Sequence, residues 1–255
     1  MTSTTRRLRA MAMAFDVTLD GLASEAAATS AIDAVHRELM RADDLFSLFR
    51  PDTPMSALAT GAAGLEDMPD EVLEVLRLCE AYRHATGGAF DIKRADGVLD
   101  PTGVVKTWAV SQAATRLGNV PSWLIAASGD VLAHGGERRV GIADPAVKGD
   151  PAGSKVLDVV TIGGAFTAVA TSGSAQVADH IWDPVTGKPA RHFVQASVAG
   201  NDIVECDAWA TAICAGGAPV VERAAAAGLE VLIVTSGRSQ GGYEAVSTPG
   251  WPRAS

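Results

Sequence analysis

The strongest constraint on the fold is a change of sequence texture near residue 120. Before it, apolar residues recur at three- and four-residue steps, as Ile32, Val35 and Leu39 do in the segment 23–47, which is the period of an amphipathic helix. After it, short runs of β-branched or alternating residues are separated by Gly, Asp and Pro, a pattern typical of strands joined by tight turns. The sequence therefore predicts an α+β protein with a helix-rich N-terminal half and a mostly antiparallel sheet.

The same periods predict the individual elements. Helices are expected over 23–47, between 68 and 86, and over 104–117, 205–216 and 218–227. Strands are expected over 11–20, 123–127, 139–142, 156–162, 166–171, 193–200 and 229–235. Because 255 residues can bury a full core, a single domain over residues 1–255 is predicted, with loose tails at 1–9 and 246–255.

Charge and composition exclude several classes of function. The net charge of -9 argues against nucleic acid as the main partner, because phosphate backbones are bound by basic surfaces. No charge-free apolar run reaches the roughly 18 residues that a membrane-spanning helix needs, so no transmembrane segment is predicted. The short apolar stretch 10–15 is not a secretory signal, which predicts a cytoplasmic location.

The cysteines do not form a metal-binding or disulfide pattern. Cys79, Cys206 and Cys214 are odd in number and contain no CxxC pair. Free, buried thiols are therefore predicted, and a zinc site is not.

Asp207 and Thr211 are four residues apart in an apolar segment that is predicted to be helical. This spacing is about one helical turn, so the carboxylate and the hydroxyl lie on the same face. A carboxylate among apolar neighbours is unfavourable unless a cation or hydrogen-bond donors meet it, and an oxygen-only pair suits a hard divalent cation such as Mg2+. A helix N-cap, or a buried Asp bonded to backbone, explains the same spacing.

Two segments rich in Gly and Asp are candidates for contact with a phosphate-bearing ligand. Residues 86–91 combine two glycines with Ala, Phe and Asp, and a helix C-cap followed by a strand is the simpler interpretation. Residues 100–106 place a Gly-containing turn before a helix, where free N–H groups attract phosphate and Lys106 adds charge. The alternative is that Asp100 or Thr102 only caps the helix, with Lys106 in solvent.

Two further polar segments lie in the strand-rich half. Residues 170–174 are by themselves a strand that ends in a hydroxyl-rich turn. Residues 180–189 contain two successive turns after His180, a side chain that could bind phosphate, transfer a proton or bond a backbone carbonyl.

Taken in order, these segments resemble one family, the FAD:protein FMN transferases, or ApbE-type flavin transferases. The resemblance runs from about Met11 to Gly217. The matching stretches are Met11–Phe15, Phe46–Asp52, Thr86–Asp91, Asp100–Lys106, Ser128–Asp130 with Val140–Pro145, Ala170–Gly173, His180–Pro189 and Asp207–Ala212. The chain departs from the family at Ser128, where Gly is usual, and at Phe49, where Tyr is frequent.

The resemblance implies a reaction and a set of site residues. FAD lies in a cleft between two tightly joined subdomains, its pyrophosphate is split, AMP leaves, and FMN is joined to a Thr or Ser hydroxyl of an acceptor protein. Mg2+ is implied at the backbone carbonyl of Gly103 and the side chains of Asp207 and Thr211. His180 is the implied aid to proton transfer, and Asp207 the second candidate for that role. The implied FAD contacts are Met11, Phe49, Ala89, Phe90, Asp91, Asp100, Lys106 and Ile181.

Two other functions remain open at this point. An FAD pyrophosphatase would use the same metal site, with water in place of the acceptor hydroxyl, and would give FMN and AMP. A non-catalytic FAD-binding protein would leave FAD intact in the presence of Mg2+. The acceptor protein, the oligomeric state and the choice between Mg2+ and Mn2+ do not follow from the sequence.

Overall fold

The computed structural model describes residues 2–94, 96–146, 155–173, 181–184, 186–236 and 242–255. It divides into two compact units. Unit 1 comprises Met1–Ala81, Ile92–Ser128 and Leu132–Gly135, and unit 2 comprises Tyr82–Asp91, Gly129–Val131 and Gly136–Ser255. The mixture of helices and antiparallel strands confirms the predicted α+β class.

The first part of the chain contains four α-helices and four strands among the described residues. In chain order they are β1 (Thr2–Ala10), β2 (Met13–Leu22), α1 (Glu25–Phe46), α2 (Pro54–Ala59), α3 (Asp70–Ala85), α4 (Thr102–Ala114), β3 (Ser122–Ala127) and β4 (Asp130–His134). Strand β2 pairs antiparallel with β1 on one side and with β3 on the other. Its buried face, which includes Phe15, Val17 and Leu19, packs under α1 and forms the centre of the core of unit 1.

The rest of the chain, Gly136–Ser255, belongs to unit 2. Its described elements are β5 (Arg138–Ala143), β6 (Val156–Ile162), β7 (Ala168–Gly173), β8 (Trp182–Asp183), β9 (Lys188–Pro189), β10 (Gln195–Gly200), α5 (Ile203–Gly216), α6 (Ala218–Ala226), β11 (Glu230–Ser236) and β12 (Tyr243–Ser247). Strands β7, β10, β11 and β12 are successive antiparallel neighbours. Helix α5 packs on β7 and β10 and is buried on nearly all sides.

Both predicted loose tails are wrong. Thr2–Ala10 is a nine-residue strand that pairs with β2 along its length. At the other end, Trp251 is buried at 7% exposure and its indole N–H donates to Asp158 at 3.0 Å. Arg253 forms an isolated bridge with Val160, so the C-terminal segment is held by β6. These contacts are with residues distant in sequence, which local patterns do not reveal.

The turn between β1 and β2 has an unusual backbone. Met11 and Ala12 form a two-residue hairpin connection with φ of 52° and 57°, the positive values that favour Gly or Asn in such turns. The predicted strand 11–20 therefore begins two residues late, at Met13. No helix among the described residues is long and apolar enough to cross a membrane.

Replacing Ala12 with Gly is expected to stabilise the protein by about 0.5–1 kcal/mol. A left-handed conformation costs a non-glycine residue about 1–2 kcal/mol, and the greater freedom of Gly in the unfolded chain offsets part of that gain. Urea denaturation measures the difference. The matched control is Ala14→Gly in the adjoining strand, which should destabilise; a lower stability for the Ala12 variant would contradict the strain argument.

Candidate active site

The two predicted metal ligands of unit 2 lie on α5. The helix is capped by Asp202, whose Oδ1 accepts from the N–H groups of Val204 at 2.8 Å and Glu205 at 3.3 Å. Asp207 is therefore not the N-cap, and that interpretation of its spacing from Thr211 is wrong. Asp207 is 2% exposed, one helical turn before the half-buried Thr211.

Strand β7 brings a second hydroxyl to this helix. Ser172 Oγ lies 3.0 Å from Thr211 Oγ1, so the two hydroxyls share a hydrogen bond. The Cys214 thiol donates to the Ser172 carbonyl at 3.4 Å, one turn further along α5. Ser172 belongs to the segment predicted to end in a turn, but β7 extends to Gly173. Its sequence shows only a hydroxyl near a strand end; the contact with α5 is a product of packing.

A buried carboxylate also lies in unit 2. Asp130 is 0% exposed and follows a tight turn in which Ser128 and Gly129 have φ of 49° and 97°. Its Oδ1 accepts from the Thr171 N–H at 3.0 Å, and the Thr171 hydroxyl shares a hydrogen bond of 2.8 Å with the buried Ser197. Thr171 and Ser172 point to opposite faces of β7. Strand β7 therefore carries a hydroxyl group on each of its two faces, next to its buried apolar residues Ala168, Val169 and Ala170.

The thiols near the site are neutral. Burial raises the pKa of Cys206, and the negative charges of Glu205, Asp202, Asp207 and Asp130 raise it further. Burial also raises the pKa of Cys214 to about 12. All three cysteines are buried and unbonded to one another, as predicted. Since metal binding and nucleophilic attack need the thiolate, the oxygen atoms are the candidate ligands here.

The segment 86–91 begins as a helix C-cap. Gly88 N–H donates to the Arg83 carbonyl at 2.8 Å and Gly87 N–H to the His84 carbonyl at 3.1 Å. This pair of bonds is a Schellman motif, which needs a positive φ at Gly87, where φ is 70°. The C-cap part of the simpler interpretation is therefore confirmed, but the strand expected after it is not formed: the described residues that follow make only an isolated bridge between Lys93 and Leu99.

Thr86 holds the next part of that segment. Its hydroxyl donates to the Tyr82 carbonyl at 2.8 Å and accepts from the Phe90 N–H at 3.0 Å. The Phe90 ring is 3% exposed and meets Tyr82 edge-on, so it belongs to the core. Ala89 is half-buried and Asp91 exposed, which leaves these two as the accessible members of the predicted FAD segment.

The segment 100–106 opens α4 in unit 1. Asp100 Oδ1 accepts from the Thr102 N–H at 3.1 Å and from its hydroxyl at 2.6 Å. The Asp100 carboxylate therefore lies at the N-terminus of α4, where the helix dipole favours negative charge. Gly103 lies in the first turn and Lys106 one turn later, both half-buried.

The two predicted flavin contacts near the N-terminus differ in exposure. Met11 lines an open cavity of about 240 Å³ together with Arg9, Met13, Met40 and Asp43. Phe49 is 94% exposed after the end of α1. Both belong to unit 1.

His180, the predicted aid to proton transfer, lies outside the described residues. Ile181, its neighbour and a predicted FAD contact, is half-exposed and its carbonyl accepts from the Ala190 N–H at 2.8 Å. The described part of the chain contains no group of three or more His, Cys, Asp or Glu side chains that could hold a metal. Among the described residues, a metal ion would therefore be held by fewer than three such side chains, with hydroxyl or carbonyl oxygens as further ligands.

Sequence comparison identifies the family. A model of the ApbE family matches residues 11–96 and 93–233, most of the chain. The protein belongs to the ApbE family, and the predicted family and transferase class are confirmed. A search among curated proteins finds no match.

Solved structures share the fold over nearly the whole chain. The ApbE protein of Thermotoga maritima is 19% identical with a TM-score of 0.82, over 99% of this chain and 100% of that one. Flavin transferase ApbE of Vibrio cholerae is 17% identical with a TM-score of 0.79, over 97% of each chain. Flavinyl transferase ApbE of Pseudomonas stutzeri, in its apo form, is 21% identical with a TM-score of 0.80, over 97% of this chain and 95% of that one.

Proposed function

We propose that this flavin transferase moves FMN from FAD to a Thr or Ser hydroxyl of an acceptor protein, with Mg2+ as cofactor and AMP as the leaving product. The observation that carries the proposal is the buried Asp207 carboxylate on the same face of α5 as Thr211, whose hydroxyl meets that of Ser172. A buried carboxylate with nearby hydroxyls is a donor set suited to a hard divalent cation.

The proposed metal ligands of unit 2 are the side chains of Asp207 and Thr211. A bound Mg2+ would neutralise charge on the FAD pyrophosphate. The Ser172 hydroxyl, 3.0 Å from Thr211, orients the Thr211 oxygen. Gly103, the third predicted ligand, belongs to unit 1. Metal binding by its backbone carbonyl remains a prediction.

The remaining site residues are proposed to bind and orient FAD. The adenosine end is assigned to Ala89 and Asp91, whose positions the Thr86 hydroxyl and the Schellman motif determine. Lys106 is assigned to the phosphate oxygens, because an ammonium group in the second turn of a helix can reach an anion at its N-terminus. Met11, Phe49, Asp100, Phe90 and Ile181 remain predicted FAD contacts, and His180 the predicted aid to proton transfer.

The test is to incubate the protein with FAD and Mg2+, with and without a candidate acceptor, and to analyse the products by mass spectrometry and nucleotide chromatography. We expect the acceptor to gain FMN while AMP is released in equal amount. Release of AMP and free FMN without an acceptor would instead identify a pyrophosphatase. FAD that stays intact with every acceptor tried would favour a binding protein.

Replacing Lys106 with Ala is expected to weaken FAD binding about tenfold or more. A hydrogen bond to a charged group contributes about 1.5–3 kcal/mol, and each 1.4 kcal/mol changes affinity about tenfold. Titration of FAD fluorescence measures the dissociation constant. Lys106→Arg, which keeps the charge, is the matched control and should retain most of the affinity; equal affinity of all three proteins would remove Lys106 from the site.

A further inference from the structure

Strand β1 forms one edge of the sheet, because β2 is its only partner strand in the part of the chain that the structure describes. The two-residue turn after Ala10 makes Ala10 and Met13 a hydrogen-bonded pair. Hydrogen-bonded and non-hydrogen-bonded pairs alternate along an antiparallel ladder. Counting back from the turn, Arg9, Arg7 and Thr5 therefore direct their backbone N–H and C=O groups away from β2.

Two contacts agree with this register. Thr5 and Thr18 are opposite each other, and their hydroxyl oxygens lie 2.9 Å apart, as expected of a non-hydrogen-bonded pair, whose side chains approach more closely. The Arg9 carbonyl is 3.1 Å from His36 Nε2 on α1, so it points away from β2. The open part of the edge therefore begins just beyond Arg9, towards the N-terminus.

The backbone groups of Thr5 and Arg7 are available to another chain. Within the described ranges, no residue makes a hydrogen bond to the N–H or C=O of either one. Such a row of outward N–H and C=O groups is a template for one more strand. The surface formed by the outward backbone of Thr5 and Arg7 is called the β1 edge below.

The positive charge of β1 favours an acidic partner. Strand β1 carries Arg6, Arg7 and Arg9 and no acidic residue, in a chain of net charge -9. Arg6, 53% exposed, pairs weakly with Glu25 at 3.7 Å. Arg7 is 68% exposed and binds both carboxylate oxygens of Asp16 at 2.7 Å, so that carboxylate balances part of its charge. A second copy of the strand would place Arg against Arg, which is unfavourable. Carboxylates on an incoming strand would be attracted.

The β1 edge also leads to the predicted flavin site. The strand ends at the turn of Met11, which lines the cavity of about 240 Å³ with Arg9. An extended chain advances about 3.3 Å per residue, so a segment paired with Thr5 and Arg7 reaches this cavity within a few residues. We propose that the β1 edge binds an extended, acidic segment of the acceptor protein by strand addition. The identity of this partner as the acceptor rests on the proposed function.

The test uses a variant that removes one outward N–H. Thr5→Pro deletes that donor but leaves the bonds between β1 and β2, and Pro is tolerated on edge strands. Thr5→Ala is the matched control, because it loses the same hydroxyl and keeps the N–H. The probe is a fluorescein-labelled decapeptide of alternating Glu and Val with one central Thr, compared with its Lys counterpart by fluorescence anisotropy.

We expect the wild type to bind the Glu peptide at least about tenfold more tightly than the Lys peptide. Thr5→Pro should weaken Glu-peptide binding about tenfold and Thr5→Ala less than about twofold. Arg7→Gln should weaken it about threefold to fivefold through charge alone, which gives a result even if the Pro variant does not fold. Equal affinity of the Pro and Ala variants, or equal affinity for the two peptides, would overturn the proposal.

Two further measurements distinguish a failure of the proposed function from a failure of the proposed binding at the β1 edge. Transfer of FMN from FAD to a candidate acceptor protein, with release of AMP, tests the proposed function in a separate assay, so a protein that binds the Glu peptide but transfers FMN to no acceptor refutes the function and leaves the peptide binding at the β1 edge intact. Sedimentation without peptide tests for a second copy at the edge. A wild-type dimer that Thr5→Pro dissociates would overturn the acceptor assignment.

Discussion

Replacing Asp207 with Asn is expected to lower kcat for transfer of FMN from FAD to an acceptor protein, followed as AMP release, by about a hundred- to a thousandfold. Asn keeps the shape of the side chain but removes the negative charge that a divalent cation needs from its ligand. Because Asp207 is the carboxylate in the proposed set on α5, Thr211 and Ser172 alone supply only neutral oxygens. Nucleotide chromatography measures the rate, and calorimetric titration with Mg2+ measures metal affinity without turnover.

The control for this prediction lies two residues earlier on the same helix. Glu205 is a half-buried carboxylate whose pKa is raised, first by burial and then by the charge of Asp202. Glu205→Gln removes a negative charge from the same helix without touching a proposed ligand, and should keep both Mg2+ affinity and turnover. An Asp207→Asn protein with wild-type Mg2+ affinity and kcat would refute the metal assignment, provided that urea unfolding shows it to be folded.

Replacing Gly135 with Ala is expected to destabilise the protein by at least about 3 kcal/mol. Gly135 has φ of 76°, and an ideal Cβ at this position would lie 1.9 Å from the Pro121 carbonyl oxygen and 2.7 Å from Ser122 Cα. Both are backbone atoms, so the clash is relieved only by moving the chain. Urea denaturation, with its slope compared between variants, measures the change in the free energy of unfolding.

A variant at Gly97 separates the cost of the left-handed backbone conformation from the cost of the steric clash at Gly135. It has φ of 85°, but an added Cβ would meet nothing within 4 Å among the described atoms. Gly97→Ala should therefore lose only about 0.5–1 kcal/mol, the cost of a left-handed alanine less the stabilisation from the smaller conformational freedom of Ala in the unfolded chain. If both variants lose the same stability, the close approach at Gly135 has no energetic consequence and only the backbone conformation matters.

The elements with a strong local signal were predicted closely. The helix predicted over 23–47 spans Glu25–Phe46, and the Ser24 hydroxyl oxygen accepts from the Ala27 N–H as an N-cap. The positions of its buried residues follow the helical period, which the sequence displays directly. Strands β6 and β11 were predicted within one residue for the same reason, since their apolar runs are bounded by turn residues.

The elements without such a signal were missed. Strand β1 is polar and basic, and it is a strand because β2 supplies its hydrogen-bond partners. Helix α2, six residues long, begins at a Thr53 cap and lacks the length to display a period. The C-terminal segment is held by Asp158, which is about a hundred residues away in sequence.

The sequence alone determined the family, the α+β class and the spacing that places Asp207 and Thr211 on one helix face, because these depend on residue order and local period. Only the tertiary structure decided that Asp202 caps α5, that Asp207 is buried and that Ser172 meets Thr211. It also decided that the N-terminal residues form an open, basic sheet edge. Burial and strand pairing arise from contacts between segments distant along the chain, and a local pattern contains no information on which segments will meet.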